Sequence, residues 1–197
     1  MKKYTEKTIK YYNAVADNYI KGNATVVLND KIGRFVSLLP GKKILDIACG
    51  PGHDVDNFVA MGFDCLGIDL SEKMIELARK NFKGKFEIMD FFDLKLADDS
   101  FDGLWCSSIF VHIKKKDVPE VLKNSKKILK KNGVLGIITA HKYERIAKQN
   151  DTREYTMFEK KELENFLIEA EFEILVSEIF PYGGKDRVFM IGKKIIN

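Results

Sequence analysis

Three aspartates each stand at or near the end of a short apolar run that is typical of a β-strand. They are Asp46, Asp69 and Asp90. Ligands of open α/β sheets bind outside the carboxyl ends of the strands, so the three carboxylates are expected to converge there. None of these strand ends carries a lysine or an arginine. The pattern therefore indicates a pocket for a nucleoside-like ligand that carries positive charge.

A glycine turn follows the first of these strands, in the run Cys49-Gly50-Pro51-Gly52. Gly50 and Gly52 allow the backbone to turn tightly and to approach a ligand closely. Asp69 follows the turn at roughly the 20-residue spacing at which dinucleotide-binding proteins place the acid that holds ribose hydroxyls. The spacing predicts that Asp69 binds a ribose. A strand-end acid also serves as a helix N-cap, which is the structural alternative for Asp46 and Asp69.

A dinucleotide, as in a NAD-binding oxidoreductase, is the natural rival ligand, because glycine turns at helix N-termini bind pyrophosphate. The required G-x-G-x-x-G is absent, since His53-Asp54-Val55 follows Gly52. Asp46, Asp54 and Asp56 flank the turn, and carboxylates beside a pyrophosphate are unfavourable in a partly dry site. The same carboxylates favour a ligand with an ammonium or sulfonium group.

The run LDIACGPG, with GIDLS after it, resembles the class I S-adenosylmethionine-dependent methyltransferases, and the resemblance covers about residues 10–140. In that family the run is close to L-D-x-G-C-G-x-G, so Ala48 stands where glycine is commoner. Alanine is small, and we expect little loss beyond a narrower space beside the methionine moiety. The resemblance implies S-adenosyl-L-methionine as cofactor, S-adenosyl-L-homocysteine as product, and methyl transfer as the activity.

The resemblance also implies which residues hold the cofactor. Asp46 and the loop Ala48–Gly52 would meet its amino-acid part, and Asp69 would bind both ribose hydroxyls. Asp90 would accept a hydrogen bond from the adenine amino group, and a helix at residues 11–19 would cover the site. The full predicted set is Tyr12, Tyr19, Asp46, Ala48, Cys49, Gly50, Pro51, Gly52, Asp69, Leu70, Met74, Asp90, Phe91 and Ser107.

Apolar residues complete this implied site. Leu70 and Met74 would border the adenine, Phe91 would flank its ring, and Ser107 would lie near the transferred methyl group. Core packing is the alternative role for Met74 and Phe91. For Tyr12 and Tyr19, the alternative role is packing along one face of the N-terminal helix.

His112 is the candidate catalytic residue, because it follows the fourth predicted strand, where the methyl group is expected. Histidine accepts a proton near neutral pH; a structural histidine at a helix start is the alternative. Methyl transfer chiefly requires that nucleophile, methyl carbon and sulfur are aligned and that water is excluded. A base is needed only for an acceptor that must lose a proton, so the sequence leaves the methylated atom open among O, N, C and S.

Alternating strand-like and helix-like segments predict an α/β fold, a doubly wound, mostly parallel, seven-stranded Rossmann-like sheet with helices on both faces. Ser71 is a predicted N-cap, and Asn132-Gly133 is a predicted helix stop. The predicted helices cover residues 4–20, 24–38, 53–61, 71–82, 114–131 and 159–169. The predicted strands cover residues 43–48, 63–68, 85–89, 101–107, 133–140, 172–180 and 187–195, with an antiparallel hairpin around Pro181–Gly184.

The chain of 197 residues is expected to form a single domain, 1–197, with an N-terminal helical lid at 1–38 and a substrate-side insert at 141–158. Without an added RNA- or protein-binding region, a small-molecule methyl acceptor is the expected partner. Arg145 and Arg153 in the insert are candidates for an anionic group of the acceptor, with solvated surface arginines as the alternative. We expect a monomer or a homodimer.

The net charge is +4, and most of the cations are lysines, which cluster in residues 114–131. Scattered lysines are more typical of a solvated surface than of a nucleic-acid site, and a tRNA or rRNA methyltransferase stays an alternative. A protein that binds the cofactor without turning it over is another. The cysteine and histidine spacing predicts buried reduced thiols and no metal site. No membrane span or signal peptide is evident, so a cytoplasmic location is expected.

Overall fold

The computed structural model describes residues 3–22, 29–141 and 153–195. Its helices are α1 (Lys3–Gly22), α2 (Asn29–Ser37), α3 (His53–Ala60), α4 (Glu72–Asn81), α5 (Val118–Ile128) and α6 (Lys160–Glu169). Its strands are β1 (Lys43–Ile47), β2 (Asp64–Asp69), β3 (Lys85–Ile88), β4 (Phe101–Ser107), β5 (Leu129–Ala140), β6 (Phe172–Tyr182) and β7 (Lys185–Lys194). Two short 3-10 turns, Phe110–His112 and Lys115–Asp117, precede α5.

The strands form one sheet in the order β3-β2-β1-β4-β5-β7-β6. Strands β1 to β5 pair in parallel, whereas β7 pairs antiparallel with both β5 and β6. The chain moves outward from β1 to β3 and then returns to the other side of β1 with β4. Strand order therefore reverses between β1 and β4, which is the point where α/β sheets bind ligands. The predicted Rossmann-like sheet with a reversed last strand is confirmed.

Alternation along the buried strands sends side chains into two apolar layers, one on each face of the sheet. In β1, Ile44 packs into a layer with Phe35 of α2, while Leu45 and Ile47 pack into the opposite layer with Leu122 of α5. Helices α2, α3 and α4 cover the first face, and α5 and α6 cover the second. This arrangement confirms helices on both faces, and it leaves α1 over the carboxyl ends of the strands.

The predicted helix at 114–131 is wrong at both ends. Helix α5 begins only at Val118, with Pro119 in its first turn, where proline is favoured because no N–H is needed there. It ends at Ile128, because Leu129 pairs with Phe101 of β4. Asn132 does adopt a left-handed backbone with φ 63°, but it lies within β5 and does not end a helix.

Local capping and turn signals agree better with the structure. The Ser71 hydroxyl accepts a hydrogen bond from the Met74 backbone N–H at 3.2 Å, which confirms Ser71 as the N-cap of α4. The C-terminal hairpin is also confirmed, although its turn is shorter than predicted. Gly183 and Gly184 make the turn with φ of 61° and 73°, while Pro181 still belongs to β6. A two-residue turn with positive φ at both positions matches the twist of the flanking strands.

The three cysteines, Cys49, Cys65 and Cys106, are buried and free, as predicted. In the part of the chain that the structure describes, no helix is long and apolar enough to cross a membrane. Over the same residues, no cluster of three metal-ligating side chains occurs.

Candidate functional site

A cavity lies where the strand order reverses, at the carboxyl ends of β1, β2 and β4 and beneath α1. Its walls come from α1, the turn after β1, the β2–α4 junction, the segment after β3 and the segment after β4. The lining residues are Thr8, Ile9, Tyr12, Ala48, Gly50, Ile68, Asp69, Leu70, Ser71, Met74, Met89, Phe91, Ser107, Ser108, Ile109 and His112. The predicted residues among them are Tyr12, Ala48, Gly50, Asp69, Leu70, Met74, Phe91, Ser107 and His112.

Asp69, at the end of β2, is held rigidly by backbone donors. The Gly50 N–H donates to its Oδ2 at 2.9 Å, and the Ser71 N–H donates to its Oδ1 at 2.8 Å. Burial raises the pKa of Asp69, and these backbone N–H groups oppose that rise. An ionised carboxylate offers about four acceptor positions, so each oxygen can accept one further hydrogen bond. The side chain is thus oriented in advance for two neutral donors such as a pair of hydroxyls.

Asp46 is a buried carboxylate with only 2% of its surface exposed. Its Oδ2 has no hydrogen-bond partner among the described residues. Burial raises the pKa of Asp46 well above its usual range, and the carboxylates of Asp54 and Asp69 raise it further. Because a buried charge is costly unless it is paired, this site favours a cationic ligand group. Asp54 is held nearby by the Trp105 indole N–H, which donates to its Oδ2 at 2.8 Å.

The raised pKa of Asp46 predicts a distinct pH dependence of stability. The folded chain holds this proton more tightly than the unfolded chain, whose aspartate pKa is about 4. Stability without ligand therefore falls as pH rises from about 4 through the raised pKa of Asp46. We expect Asp46→Asn, which keeps the shape and removes the charge, to flatten this fall. Thermal unfolding between pH 4 and 8 measures the effect, and identical profiles for the two proteins would contradict it.

The turn after β1 contains three residues with a left-handed backbone. Ala48 has φ 60°, Gly50 has φ 54° and Gly52 has φ 96°. A Cβ at Gly52 would lie 2.8 Å from the Phe86 ring and 3.0 Å from the Ala78 Cβ, so only glycine fits there. The backbone at Ala48 explains why glycine suits that position: a side chain in this region is strained.

Ala48→Gly is expected to stabilise the protein by about 0.5–1 kcal/mol. Relief of the left-handed strain is worth about 1–2 kcal/mol, and the greater freedom of glycine in the unfolded chain offsets about 0.5–1 kcal/mol of it. Denaturant unfolding measures the change. Ala60→Gly, in the exposed last turn of α3, is the control and should give no gain, because its helical backbone is unstrained for alanine. A loss at Ala48 would show that its backbone is unstrained.

An aromatic cluster borders the end of the cavity after β4. The Tyr12 hydroxyl and His112 Nε2 lie 2.9 Å apart, in hydrogen-bond contact. Tyr19 packs edge-on against Tyr12 with ring centroids 5.5 Å apart, and Tyr155 lies 5.2 Å from the His112 ring. The Arg153 guanidinium is 3.7 Å from the centroid of the neighbouring Tyr11 ring. We call Tyr11, Tyr12, Tyr19, His112, Arg153 and Tyr155 the aromatic cluster.

Six predicted site residues lie outside the cavity lining: Tyr19, Asp46, Cys49, Pro51, Gly52 and Asp90. Tyr19 contacts Tyr12 instead, and Cys49, Pro51 and Gly52 belong to the turn without facing the cavity. The Asp90 Oδ1 accepts from the Phe92 N–H at 2.9 Å, and the neighbours of Asp90, Met89 and Phe91, line the wall. Arg145, a predicted contact for the acceptor in the insert, is outside the described residues.

Sequence reasoning missed several lining residues. Thr8 and Ile9 share one face of α1 with Tyr12, so helical spacing from the predicted tyrosine offered a signal for them. Met89 directly precedes Asp90, so extending the predicted site by one residue at the end of that strand would have included Met89. Ser108 takes a left-handed backbone with φ 68°, and no local sequence signal predicts that.

Comparison with known proteins agrees with the resemblance carried by the runs LDIACGPG and GIDLS. The methyltransferase domain family matches residues 44–133. Ubiquinone biosynthesis O-methyltransferase of Pelagibacter ubique is 33% identical over 144 residues, which are 69% of this chain and 57% of that protein. Across the curated relatives that it matches, the chain spans from about one-fifth to three-fifths of their length.

Solved structures share the fold. The 1,6-didemethyltoxoflavin-N1-methyltransferase of Burkholderia thailandensis, solved with 1,6-didemethyltoxoflavin and S-adenosylhomocysteine, superposes with a TM-score of 0.80 and 19% identity. The match covers 97% of this chain and 88% of that one. A [4+2]-cyclase superposes with a TM-score of 0.78 and 17% identity over 96% of each chain. The motif, the sheet order and these matches point to one family, whose cofactor is S-adenosylmethionine. The chain belongs to the class I S-adenosylmethionine-dependent methyltransferase family.

Proposed function

We propose that this protein transfers the sulfonium methyl group of S-adenosylmethionine, in line, to a nucleophilic O, N, C or S atom of a small-molecule acceptor. The observation that carries the proposal is the carboxylate of Asp69. It lies in the cavity wall at the point where strand order reverses, with each oxygen fixed by a backbone N–H. A rigid acceptor pair of this kind suits the two hydroxyls of a ribose.

The buried carboxylate of Asp46 supports a cofactor whose methionine part lies beside the turn after β1. Asp46 is buried with an unpartnered Oδ2 among the described residues, beside the turn that contributes Ala48 and Gly50 to the cavity. We assign it to the ammonium group of the methionine part, since that group would supply the missing hydrogen bond and charge. Leu70, Met74 and Phe91 then border the adenine. The assignment of Asp90 to the adenine amino group stays a prediction.

The chain's own residues must align the acceptor and exclude water. When bound, S-adenosylmethionine supplies a methyl group that its positive sulfur already activates. Helix α1 covers the cavity through Thr8, Ile9 and Tyr12, which limits the access of water. His112 faces the cavity and contacts the Tyr12 hydroxyl at 2.9 Å. We assign to His112 the acceptance of a proton from the acceptor, with Tyr12 orienting the imidazole ring.

The basic stretch at residues 114–131 supports a small acceptor over RNA. A phosphate backbone is bound by cationic side chains that are free to neutralise phosphates and so displace the counterions condensed on the nucleic acid. In this protein several lysines of the stretch pair with carboxylates instead. The pairs are Lys114–Glu154, Lys115–Glu162, Lys126–Glu171, Lys127–Asp98 and Lys130–Asp102. Arg153, stacked on Tyr11 at the rim, stays a predicted contact for an anionic group of the acceptor.

Calorimetric titration tests the proposal and its alternatives together. S-Adenosylmethionine and S-adenosylhomocysteine are expected to bind, whereas NAD⁺ and a tRNA mixture are not. Heat from NAD⁺ alone would favour an oxidoreductase, and salt-sensitive binding of tRNA would favour an RNA methyltransferase. Because a cyclase shares the fold, transfer itself needs a second assay. Incubating labelled S-adenosylmethionine with a panel of small amines, phenols, thiols and carbon acids should yield a labelled product and S-adenosylhomocysteine.

Other features belong to the same proposal. We propose that residues 1–197 act as one methyltransferase domain, with residues 1–38 as the lid and 141–158 on the acceptor side. We also propose a monomer or homodimer that works in the cytoplasm. Size-exclusion chromatography with light scattering measures the oligomeric state directly.

A further inference from the structure

Helix α1 contacts opposite walls of the cavity through two adjacent residues. Tyr12 reaches His112, after β4, at 2.9 Å. Asn13 reaches the β2–α4 junction, where its Oδ1 accepts a hydrogen bond from the Ser71 hydroxyl at 2.6 Å and from the Lys73 backbone N–H at 3.4 Å. One turn of α1 is thus bound both to the side expected to hold the acceptor and to the side expected to hold the cofactor.

Ser71 connects Asn13 with Asp69. Its backbone N–H donates to Asp69 Oδ1 at 2.8 Å, while its hydroxyl accepts from the Met74 N–H at 3.2 Å. That hydroxyl therefore has its own proton free to donate to Asn13. Ser71 is only 1% exposed, so water competes little for these bonds. A continuous path of hydrogen bonds runs from the carboxylate of Asp69 to α1.

We propose that Asn13 is a positioning residue that couples closure of α1 to occupation of the cofactor half of the cavity. The proposal rests on the proposed function, in which Asp69 holds the ribose. A ribose bound to Asp69 restrains Ser71, and Ser71 then restrains Asn13. The neighbouring Tyr12 is thereby set beside His112. Since coupling between two equilibria is reciprocal, closure of α1 strengthens cofactor binding by the same factor.

Variants at Asn13 test this coupling through two measurements on the intact chain. The first is the dissociation constant of S-adenosylhomocysteine by calorimetry, and the second is amide hydrogen exchange in α1 with and without that ligand. Asn13→Ala is expected to bind the ligand about five- to tenfold more weakly, as loss of one or two hydrogen bonds implies. The ligand should also no longer protect the amides of α1. Asn18→Ala, an exposed asparagine on the same helix, should match the wild type.

Asn13→Asp separates hydrogen bonding from packing. Its carboxylate can accept the same two hydrogen bonds and lies at the N-terminus of α4, where negative charge is favourable. It should retain both affinity and protection. Ser71→Ala adds a second check that does not depend on Asn13→Ala alone. In that background, Asn13→Ala should have a smaller effect than in the wild type, because the Ser71–Asn13 bond is already lost and only the longer contact with the Lys73 N–H remains.

Three results would overturn the coupling. The first is equal ligand affinity and equal α1 protection in Asn13→Ala and Asn18→Ala. The second is an equal loss in Asn13→Ala and Asn13→Asp, which would assign the effect to packing. The third is full additivity of Asn13→Ala and Ser71→Ala. Failure of the wild-type chain to bind S-adenosylhomocysteine at all is a different result, because it would remove the proposed function and the coupling together.

Discussion

Asp69→Ala and Asp69→Asn are expected to weaken binding of S-adenosylhomocysteine at least 100-fold. In the proposed complex, each variant removes two charge-assisted hydrogen bonds to the ribose, worth about 1.5–3 kcal/mol apiece, and about 1.4 kcal/mol is a factor of ten in affinity. Asparagine cannot substitute, because both carboxylate oxygens accept backbone N–H groups, from Gly50 and Ser71. An amide must turn its own NH₂ group toward one of these donors. Calorimetry measures the loss directly.

Asp64→Asn is the matched control for Asp69. Asp64 begins the same strand, is exposed, and pairs with Lys85 at 2.6 Å. An exposed ion pair of this kind contributes little, roughly 0–1 kcal/mol, to stability. Ligand affinity should therefore stay within about twofold of the wild type. If Asp69→Asn also stayed within that range, Asp69 would not hold the ribose, and the orientation proposed for the cofactor would be wrong.

His112→Ala is expected to lower kcat by about 10²–10⁴-fold for an acceptor that must lose a proton, the usual range for a general base. The fall in rate at acid pH that a histidine base imposes should disappear in this variant. Affinity for S-adenosylhomocysteine should change little, since we assign cofactor binding to Asp46 and Asp69. Steady-state kinetics from pH 5 to 9, with an acceptor found in the panel, provide the measurement.

Two further variants define the role of His112. Tyr12→Phe removes the hydroxyl that contacts Nε2 and keeps the ring, so kcat should fall less, by about three- to tenfold. His53→Ala removes a histidine that packs on Phe82, outside the cavity lining, and should leave kcat within about twofold. An unchanged kcat and pH profile in His112→Ala would show that this histidine is structural and that the acceptor reacts without a base.

The parts of the site that depend on neighbouring residues were predictable from the sequence. Asp69, Gly50 and Ser71 lie in short motifs whose strand, turn and cap signals each act within a few residues. Parallel pairing of β1 and β2 then brings Gly50 and Asp69 together, because the two strands end at the same edge of the sheet. That geometry needs no information beyond the order and direction of adjacent strands.

Features that depend on distant contacts were not predictable in the same way. The contact between Asn13 and Ser71 joins residues 58 positions apart, and the contact between Tyr12 and His112 joins residues 100 positions apart. Helical spacing placed Tyr12 and Tyr19 on one face of α1. Only the docking of α1 determines that Tyr12 lines the cavity and that Tyr19 packs against Tyr12 outside the lining. The end of α5 likewise depends on Leu129 pairing with β4, which overrides the helical periodicity before it.

A crystal structure of the complex with S-adenosylhomocysteine tests the central claim most directly. The claim predicts density in the cavity beneath α1, with both ribose hydroxyls on Asp69 and the ammonium group on Asp46. The sulfur should point toward Ser107 and His112, at the end of the cavity that carries the aromatic cluster. Ligand density elsewhere on the chain, or a ribose that does not contact Asp69, would contradict the claim.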